Sequence, residues 1–169
     1  MSQSIFSYFA WGITLIALQV LVGNHIHIGG VAMPMFYLYP ILILPSDTPR
    51  WVLLISAFLT GISVDIFSNT PGLTASALLV VALLRPVILQ VFAPTERGDD
   101  ALIPSVRTME WGGFVRYTSA VCLVQATAFY FIEAFGFFRL GSILLSIVAT
   151  ALLSVVLIAA IEMLRMRKA

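Results

Sequence analysis

Charged residues are scarce in this chain of 169 residues: only 10% are Asp, Glu, Lys or Arg, while 60% are hydrophobic. Soluble domains carry about 25% charged residues. A soluble fold of this size could not hide so much apolar surface in one core, whereas lipid lets apolar side chains face outward. The formal net charge of +1 also lacks the basic excess that a nucleic-acid-binding protein needs. The composition therefore predicts an integral membrane protein.

The sequence is also poor in cysteine and lacks the common motifs of enzymes. Cys122 is the only cysteine, so no intrachain disulfide can form. Its place in an apolar run is typical of a small buried residue. The chain contains no Walker loop, no GxGxxG, no GxSxG and no HExxH. The sequence thus predicts no catalytic residue, no metal site and no cofactor.

Long apolar runs predict an all-α polytopic membrane bundle of about six transmembrane helices, in one domain that covers residues 1–169. A spanning helix needs about 20 mostly apolar residues, and turn-forming residues separate the runs. The first run is expected to be a retained helix, since no basic residue precedes it. The second is short and contains two prolines, which favours a kinked span or a re-entrant segment. The predicted spans cover residues 6–23, 31–44, 51–67, 73–92, 114–135 and 140–164.

The basic residues predict how the bundle is oriented, because Lys and Arg concentrate in cytoplasmic loops. With a cytoplasmic N-terminus, seven basic residues lie inside and only Arg139 lies outside. Six crossings then place both termini in the cytoplasm, whereas five would put Arg50 or the C-terminal tail on the wrong side. The inner set is Arg50, Arg97, Arg107, Arg116, Arg165, Arg167 and Lys168. The long inner connection, 93–113, is either a solvated connector or a docking surface for a partner.

Two ionisable residues within the predicted spans are candidates for a special role, because charge inside a membrane is costly. Asp65 lies near the outer end of the third span. Its carboxylate either accepts hydrogen bonds from the following turn and the next helix, or belongs to a ligand or proton site. Arg85, followed by Pro86, either snorkels to the inner interface or packs between helices, and Glu162 is its predicted partner. An Asp65–Arg85 pair is not expected, since the two lie near opposite faces.

Other polar residues give weaker signals. Gln125 lies in the middle of the fifth span and is predicted to hydrogen-bond to a neighbouring helix. His25 and His27 lie in the first outer loop, where they could form a metal cluster with Asp65 and Glu133. Histidines at alternate positions of a loop more often lie at an interface, so we assign no metal.

The stretch Asp65-Ile66-Phe67-Ser68-Asn69-Thr70-Pro71-Gly72, with Ala75 after it, is the most specific of several segments that resemble one known family. That family is the rod shape-determining protein MreD. The resemblance covers nearly the whole chain, although the fifth and sixth spans add little to it. Further matching segments are 19–27, 44–51, Gly61–Asp65, Leu83-Leu84-Arg85-Pro86, 104–109, Arg116-Tyr117 and 131–135.

The resemblance implies a non-enzymatic, multi-pass scaffold of the bacterial cytoplasmic membrane. It would bind MreC, which has one membrane helix, and through it connect with actin-like MreB, RodA and a penicillin-binding protein. This elongation complex builds lateral peptidoglycan and gives rod cell shape. The family's fold looks similar to the S-components of energy-coupling-factor transporters, so a solute-binding membrane subunit of a transporter is the alternative function. A membrane enzyme for lipid-linked precursors is a third class, and a homodimer is left open.

Small residues on two spans are the predicted contacts with the MreC helix, because small side chains allow helices to approach closely. Ala57 and Gly61 are four residues apart on the third span, and Ala149, Ala151 and Ser154 lie on the sixth. Packing within the chain would use the same residues. The candidate structural or functional residues are Asp65, Pro71, Gly72, Arg85, Pro86 and Gly61.

Overall fold

The computed structural model describes residues 32–93, 102–134 and 140–168, together with some positions between 12 and 21. Those positions are helical, and the rest of the predicted first span lies outside the described residues. Four of the helices in the continuous ranges are long and apolar enough to cross a membrane, in agreement with the predicted all-α class. The helices are α1 (Leu38–Leu42), α2 (Arg50–Ser68), α3 (Leu73–Phe92), α4 (Val106–Ala134) and α5 (Leu140–Lys168).

The long helices match three predicted spans closely, and the fifth predicted span, 114–135, begins too late. Its helix starts at Val106, within the predicted connector 93–113. Ser105 begins this helix: its carbonyl accepts from the Met109 N–H, and the Thr108 hydroxyl accepts from the Ser105 N–H in return. The helix is broken once, at Glu110, where φ is 57° and ψ is 169°. Non-glycine residues rarely adopt such angles.

Within the second predicted span, 31–44, the described residues do not form one continuous helix, which is compatible with the kinked span or re-entrant segment expected there. Residues 33–35 have no regular structure, a turn follows, and only Leu38–Leu42 forms a helix. Pro34 and Pro40 give the physical reason, because a proline lacks the N–H that a helix interior needs and disfavours helical backbone before it. Nearly all of this segment is nevertheless buried.

This broken segment runs lengthwise through the bundle between α4 and α5. Its contacts descend along α4: Met33 lies beside Thr150, which also contacts Tyr130. Farther along, the backbone near Leu42 lies beside Tyr117. Tyr130 and Tyr117 are separated by 13 residues, or about 20 Å along the helix. The segment is thus antiparallel to α4 and parallel to α5.

Helices α2 and α3 cross with almost no space between their backbones. A Cβ atom built on Gly61 would lie 2.4 Å from the Ala75 Cα and 2.8 Å from its N atom. Ala57, one turn earlier on α2, is fully buried. Glycine is therefore required at position 61 for packing inside the chain. Ala57 and Gly61, two of the five residues predicted to contact MreC, are thus buried inside the chain.

Apolar side chains cover the outward faces of the long helices. Trp51 and Ile66 on α2, Leu83 on α3, and Leu152 and Val156 on α5 are each more than 60% exposed. In water such a surface would drive aggregation, whereas in lipid it has no cost. The exposed surface and the helix lengths together support a membrane location.

Gly61→Ala should destabilise the chain, because even one methyl group forces α2 away from the Ala75 backbone. We expect a loss of about 1–3 kcal/mol, as for other overpacked sites. Thermal unfolding in mild detergent measures the effect. Gly141→Ala is the matched control, since a Cβ there meets nothing within 4 Å. Equal melting temperatures for Gly61→Ala and the wild-type chain would contradict the tight crossing.

Candidate functional site

Asp65 joins the end of α2 to the start of α3. Its carboxylate accepts hydrogen bonds from the Thr70 hydroxyl at 2.9 Å, the Thr74 N–H at 2.9 Å and the Ala75 N–H at 3.0 Å. The side chain is buried at 3% exposure. The N–H groups of a first helical turn have no partner within the helix, and an anion there is favoured. These are the contacts that the structural-anchor interpretation of Asp65 predicts.

The turn between α2 and α3 depends on two residues with positive φ. Asn69 ends α2 with φ 55°, and Gly72 precedes α3 with φ 81°. Asparagine and glycine are the residues that adopt this backbone most readily. Pro71 lies between Thr70 and Gly72 and is exposed. Asp65, Pro71, Gly72 and Gly61 therefore come together at one end of the α2–α3 pair.

A lipid-facing groove of about 470 Å³ lies beside this turn, and we call it the α2–α3 groove. Phe58, Ile62 and Ile66 form its α2 side, and small residues form much of its α3 side. Most of its lining is apolar, and Asp65 and Asn69 border it at the turn. The small residues of its α3 side are Gly72, Ala75 and Ser76.

Arg85 lies toward the opposite end of α3 and is buried at 2% exposure, so it does not snorkel. Its Nε donates to the Tyr117 hydroxyl at 3.1 Å, and its Nη2 donates to the carbonyl of Leu42 at 3.1 Å and to the carbonyl of Leu44. The Tyr117 hydroxyl also donates to the Leu42 carbonyl, at 3.3 Å. Arg85 thus holds the C-terminal end of the broken segment, whose carbonyls have no helix to continue into.

The predicted Arg85–Glu162 pair is wrong. Glu162 forms an ion pair with Arg165 instead, at 3.7 Å. Glu162 is buried and accepts from the Tyr39 hydroxyl and from the Val106 N–H at 3.3 Å. It therefore binds α5 to both α1 and the start of α4. The prediction compared only the positions of Arg85 and Glu162 along their helices. Such a comparison could not show that the carbonyls of residues 42–44 lie nearer to Arg85 than Glu162 does.

Pro86 follows Arg85 without ending α3, which continues to Phe92. Its missing N–H leaves the Ala82 carbonyl without the usual intrahelical donor. Arg85 and Pro86 are separate from the Asp65 turn. Thr74 and Arg85 are 11 residues apart on α3, or about 16 Å. The candidate residues thus form two groups at opposite ends of the bundle.

Thr150, Ser154 and Glu162 form a polar stripe on α5 that the sequence analysis did not recognise. The Thr150 hydroxyl accepts from the Met33 N–H and the Ser154 hydroxyl from the Met35 N–H, each at 3.2 Å. Gln19 similarly accepts from the Phe36 N–H at 2.8 Å. Spacing by four residues puts Thr150, Ser154 and Glu162 on one helix face, and this spacing was the available signal. The stripe supplies acceptors to backbone that has no regular structure of its own.

Gln125 makes the predicted contact with a neighbouring element, since its Nε2 donates to the Tyr37 hydroxyl at 3.1 Å. Its Oε1 and the Thr118 hydroxyl are buried without a partner in the described part of the chain. His25 and His27 lie outside the described residues. Among the residues that are described, no three His, Cys, Asp or Glu side chains converge on one point.

Comparison of the chain with protein-family models, with curated proteins and with solved structures found no match. Membership of the MreD family stays a prediction, which rests on the residues themselves.

Asp65→Ala should destabilise the chain more than Asp65→Asn does. Alanine leaves the buried N–H groups of Thr74 and Ala75 without an acceptor, at a cost of about 1–3 kcal/mol, whereas asparagine keeps one carbonyl oxygen. Thermal unfolding in detergent and protein level in cells measure the difference. Asp47→Ala is the control, since Asp47 is exposed. If Asp65→Ala were as stable as the wild type, the carboxylate would not be the anchor.

Arg85→Met should lower stability more than Arg85→Lys. Methionine leaves the carbonyls of Leu42 and Leu44 without a donor, at about 1–3 kcal/mol each. Lysine keeps the charge, but its compact ammonium cannot reproduce the spread of guanidinium donors. Thermal unfolding should rank the wild type first, Arg85→Lys second and Arg85→Met last. Arg50→Met, at an exposed position, controls for loss of charge. If the methionine variant were as stable as the wild type, the hydrogen bonds of Arg85 would only offset the free energy lost by burying its charge.

Proposed function

We propose that this chain is a membrane-embedded adaptor of the MreD type, which binds the membrane helix of MreC in the bacterial cytoplasmic membrane. Through MreC it would help couple MreB, RodA and a penicillin-binding protein in lateral wall synthesis. The carrying observation is the lipid-facing α2–α3 groove, beside the Asp65–Gly72 stretch that most specifically resembles the family. The proposal is for a non-enzymatic scaffold and assigns no catalytic residue.

The proposed topology has six crossings with both ends in the cytoplasm. Four crossings correspond to α2–α5, one to the helical residues between 12 and 21, and one to the broken segment. Basic residues from separate parts of the chain gather at one end of the bundle, which supports this orientation. Arg107 donates to the Met166 carbonyl next to Arg165, and residue 102 pairs with Ser46, four residues before Arg50.

The use of the polar side chains favours an adaptor. Asp65, Arg85 and Glu162 bind backbone groups of neighbouring elements, as do Thr150 and Ser154. These groups give the interior a fixed shape, and contact with another membrane protein is then made by the outer surface. In lipid, close contact depends on shape and on small residues more than on apolar area.

The MreC helix is assigned to the α2–α3 groove, in place of the small residues predicted from sequence. Ala151 and Ser154 on α5 are buried within the chain, as are Ala57 and Gly61 on α2. Gly72, immediately before α3, and Ser76, in its first turn, by contrast line the groove. Such small side chains let the backbone of a second helix come close. A single membrane helix is the occupant whose length and apolar surface suit such a groove.

Ser76→Leu should weaken copurification of tagged MreC by about tenfold, the effect of ~1.4 kcal/mol, because the larger side chain fills the groove. Ser76 hydroxyl contacts are local, to the carbonyls of Gly72 and Leu73, so the fold should survive. Val80→Leu is the matched control, since Val80 lies one turn farther on α3 and outside the groove. Unchanged copurification, with melting temperatures equal to wild type, would exclude this groove as the MreC site. A substitution at Gly61 could not decide this, since it disturbs the helix crossing itself.

One observation favours the alternative, a solute-binding subunit of a transporter. Interrupted membrane segments, like residues 32–42 here, often form the substrate sites of transporters. Mass spectrometry of the purified chain separates the two functions. Retained MreC supports the adaptor, whereas a stoichiometric small molecule together with an ATPase partner would replace it.

A further inference from the structure

A small cleft lies where the start of α4 meets the end of α5, and we call it the basic cleft. Its volume is about 100 Å³, and Ser105, Arg107, Glu162, Arg165 and Met166 line it. Two of these five side chains are cationic, and a third cation, Arg167, is exposed on the same helix end. A cleft of this size admits a single headgroup and excludes a nucleotide.

The negative charge in the basic cleft is already compensated. One Glu162 oxygen accepts from the Val106 N–H, and the other accepts from the Tyr39 hydroxyl and lies 3.7 Å from Arg165. Arg107 donates to a neutral group, the Met166 carbonyl, at 3.3 Å. In the described part of the chain, Arg107 makes no ion pair. Its positive charge is thus available to an anion.

The surroundings of the cleft indicate a lipid. Met163 and Leu164, which precede Arg165 on α5, are 55% and 61% exposed. The end of α5 therefore carries both cations and exposed apolar side chains, with Leu164 on the side of the helix away from Glu162 and Met166. An anionic phospholipid likewise combines a charged headgroup with an apolar tail. Basic pockets between membrane helices on the cytoplasmic side are known to hold anionic headgroups.

We propose that the basic cleft binds the headgroup phosphate of an anionic phospholipid. Arg107 and Arg165 contact the phosphate oxygens, and the Ser105 hydroxyl is a further donor at the mouth of the cleft. This site is independent of MreC binding, since it lies at the opposite end of the bundle from the α2–α3 groove.

Native mass spectrometry of the full chain, with phosphatidylglycerol or phosphatidylcholine added at equal concentration, tests the proposal. The wild type should retain phosphatidylglycerol in preference. Arg107→Gln with Arg165→Gln should weaken that retention by about fivefold per arginine, the usual effect of a cation at an anionic surface. Arg50→Gln, at the same end of the bundle but outside the cleft, should leave it unchanged. Arg107→Gln alone, which removes one contact to a carbonyl, serves if the double variant unfolds.

Two outcomes would overturn the proposal. Equal retention of the two lipids by the wild type, or equal losses in Arg50→Gln and the cleft variants, would mean general attraction and no site. Inorganic phosphate is the second probe: if it stabilises the chain in detergent as much as phosphatidylglycerol does, the cleft is a soluble-anion site. Stabilisation by phosphatidylglycerol alone, lost in Arg107→Gln, supports a lipid site.

Discussion

The backbone of residues 32–44 sets the constraint on which the rest of this bundle depends. Inside a membrane, every peptide N–H and C=O must find a partner within the protein. A continuous helix would satisfy this by itself, but Pro34 and Pro40 prevent one. The missing partners come from side chains on other elements: Thr150 and Ser154 bind the N–H groups near the start of the segment, and Arg85 binds the carbonyls at its end. The irregular segment is therefore stable only because α3, α4 and α5 surround it.

This constraint also explains where the charged residues lie. A buried arginine without a carboxylate partner would be costly in an apolar core. Three oxygen acceptors, from Tyr117 and the backbone of Leu42 and Leu44, surround Arg85 instead. Asp65 performs the converse role, because it accepts from the free N–H groups at the start of α3. In both cases a full charge is matched to the partial charges of a helix end, which needs no second ionised residue.

Sequence reasoning reached those parts of the fold that local chemistry determines. The bounds of α2 and α3, and the role of Asp65 beside its turn, follow from hydrophobic length and from residues near in sequence. The backbone partners of Arg85 and Glu162 could not be derived in this way, because they belong to segments more than 40 residues distant. The second span was expected to be kinked or re-entrant, but the carbonyls of residues 42–44 were not considered as acceptors. The wrong Arg85–Glu162 pair follows from this omission.

The interior of this protein consequently determines its fold, whereas its surface determines what it can bind. Interior side chains such as Asp65, Arg85 and Ser154 bind backbone groups, and changing one of these should alter the fold before it alters any interaction. The surface is largely uniform hydrocarbon, in which apolar area alone gives little affinity between helices. Specific binding must then depend on places where the surface is concave or charged. Two such places are the concave α2–α3 groove with its small residues and the charged basic cleft. Because they lie at opposite ends of the bundle, the protein helix and the lipid headgroup that we propose as occupants would not compete.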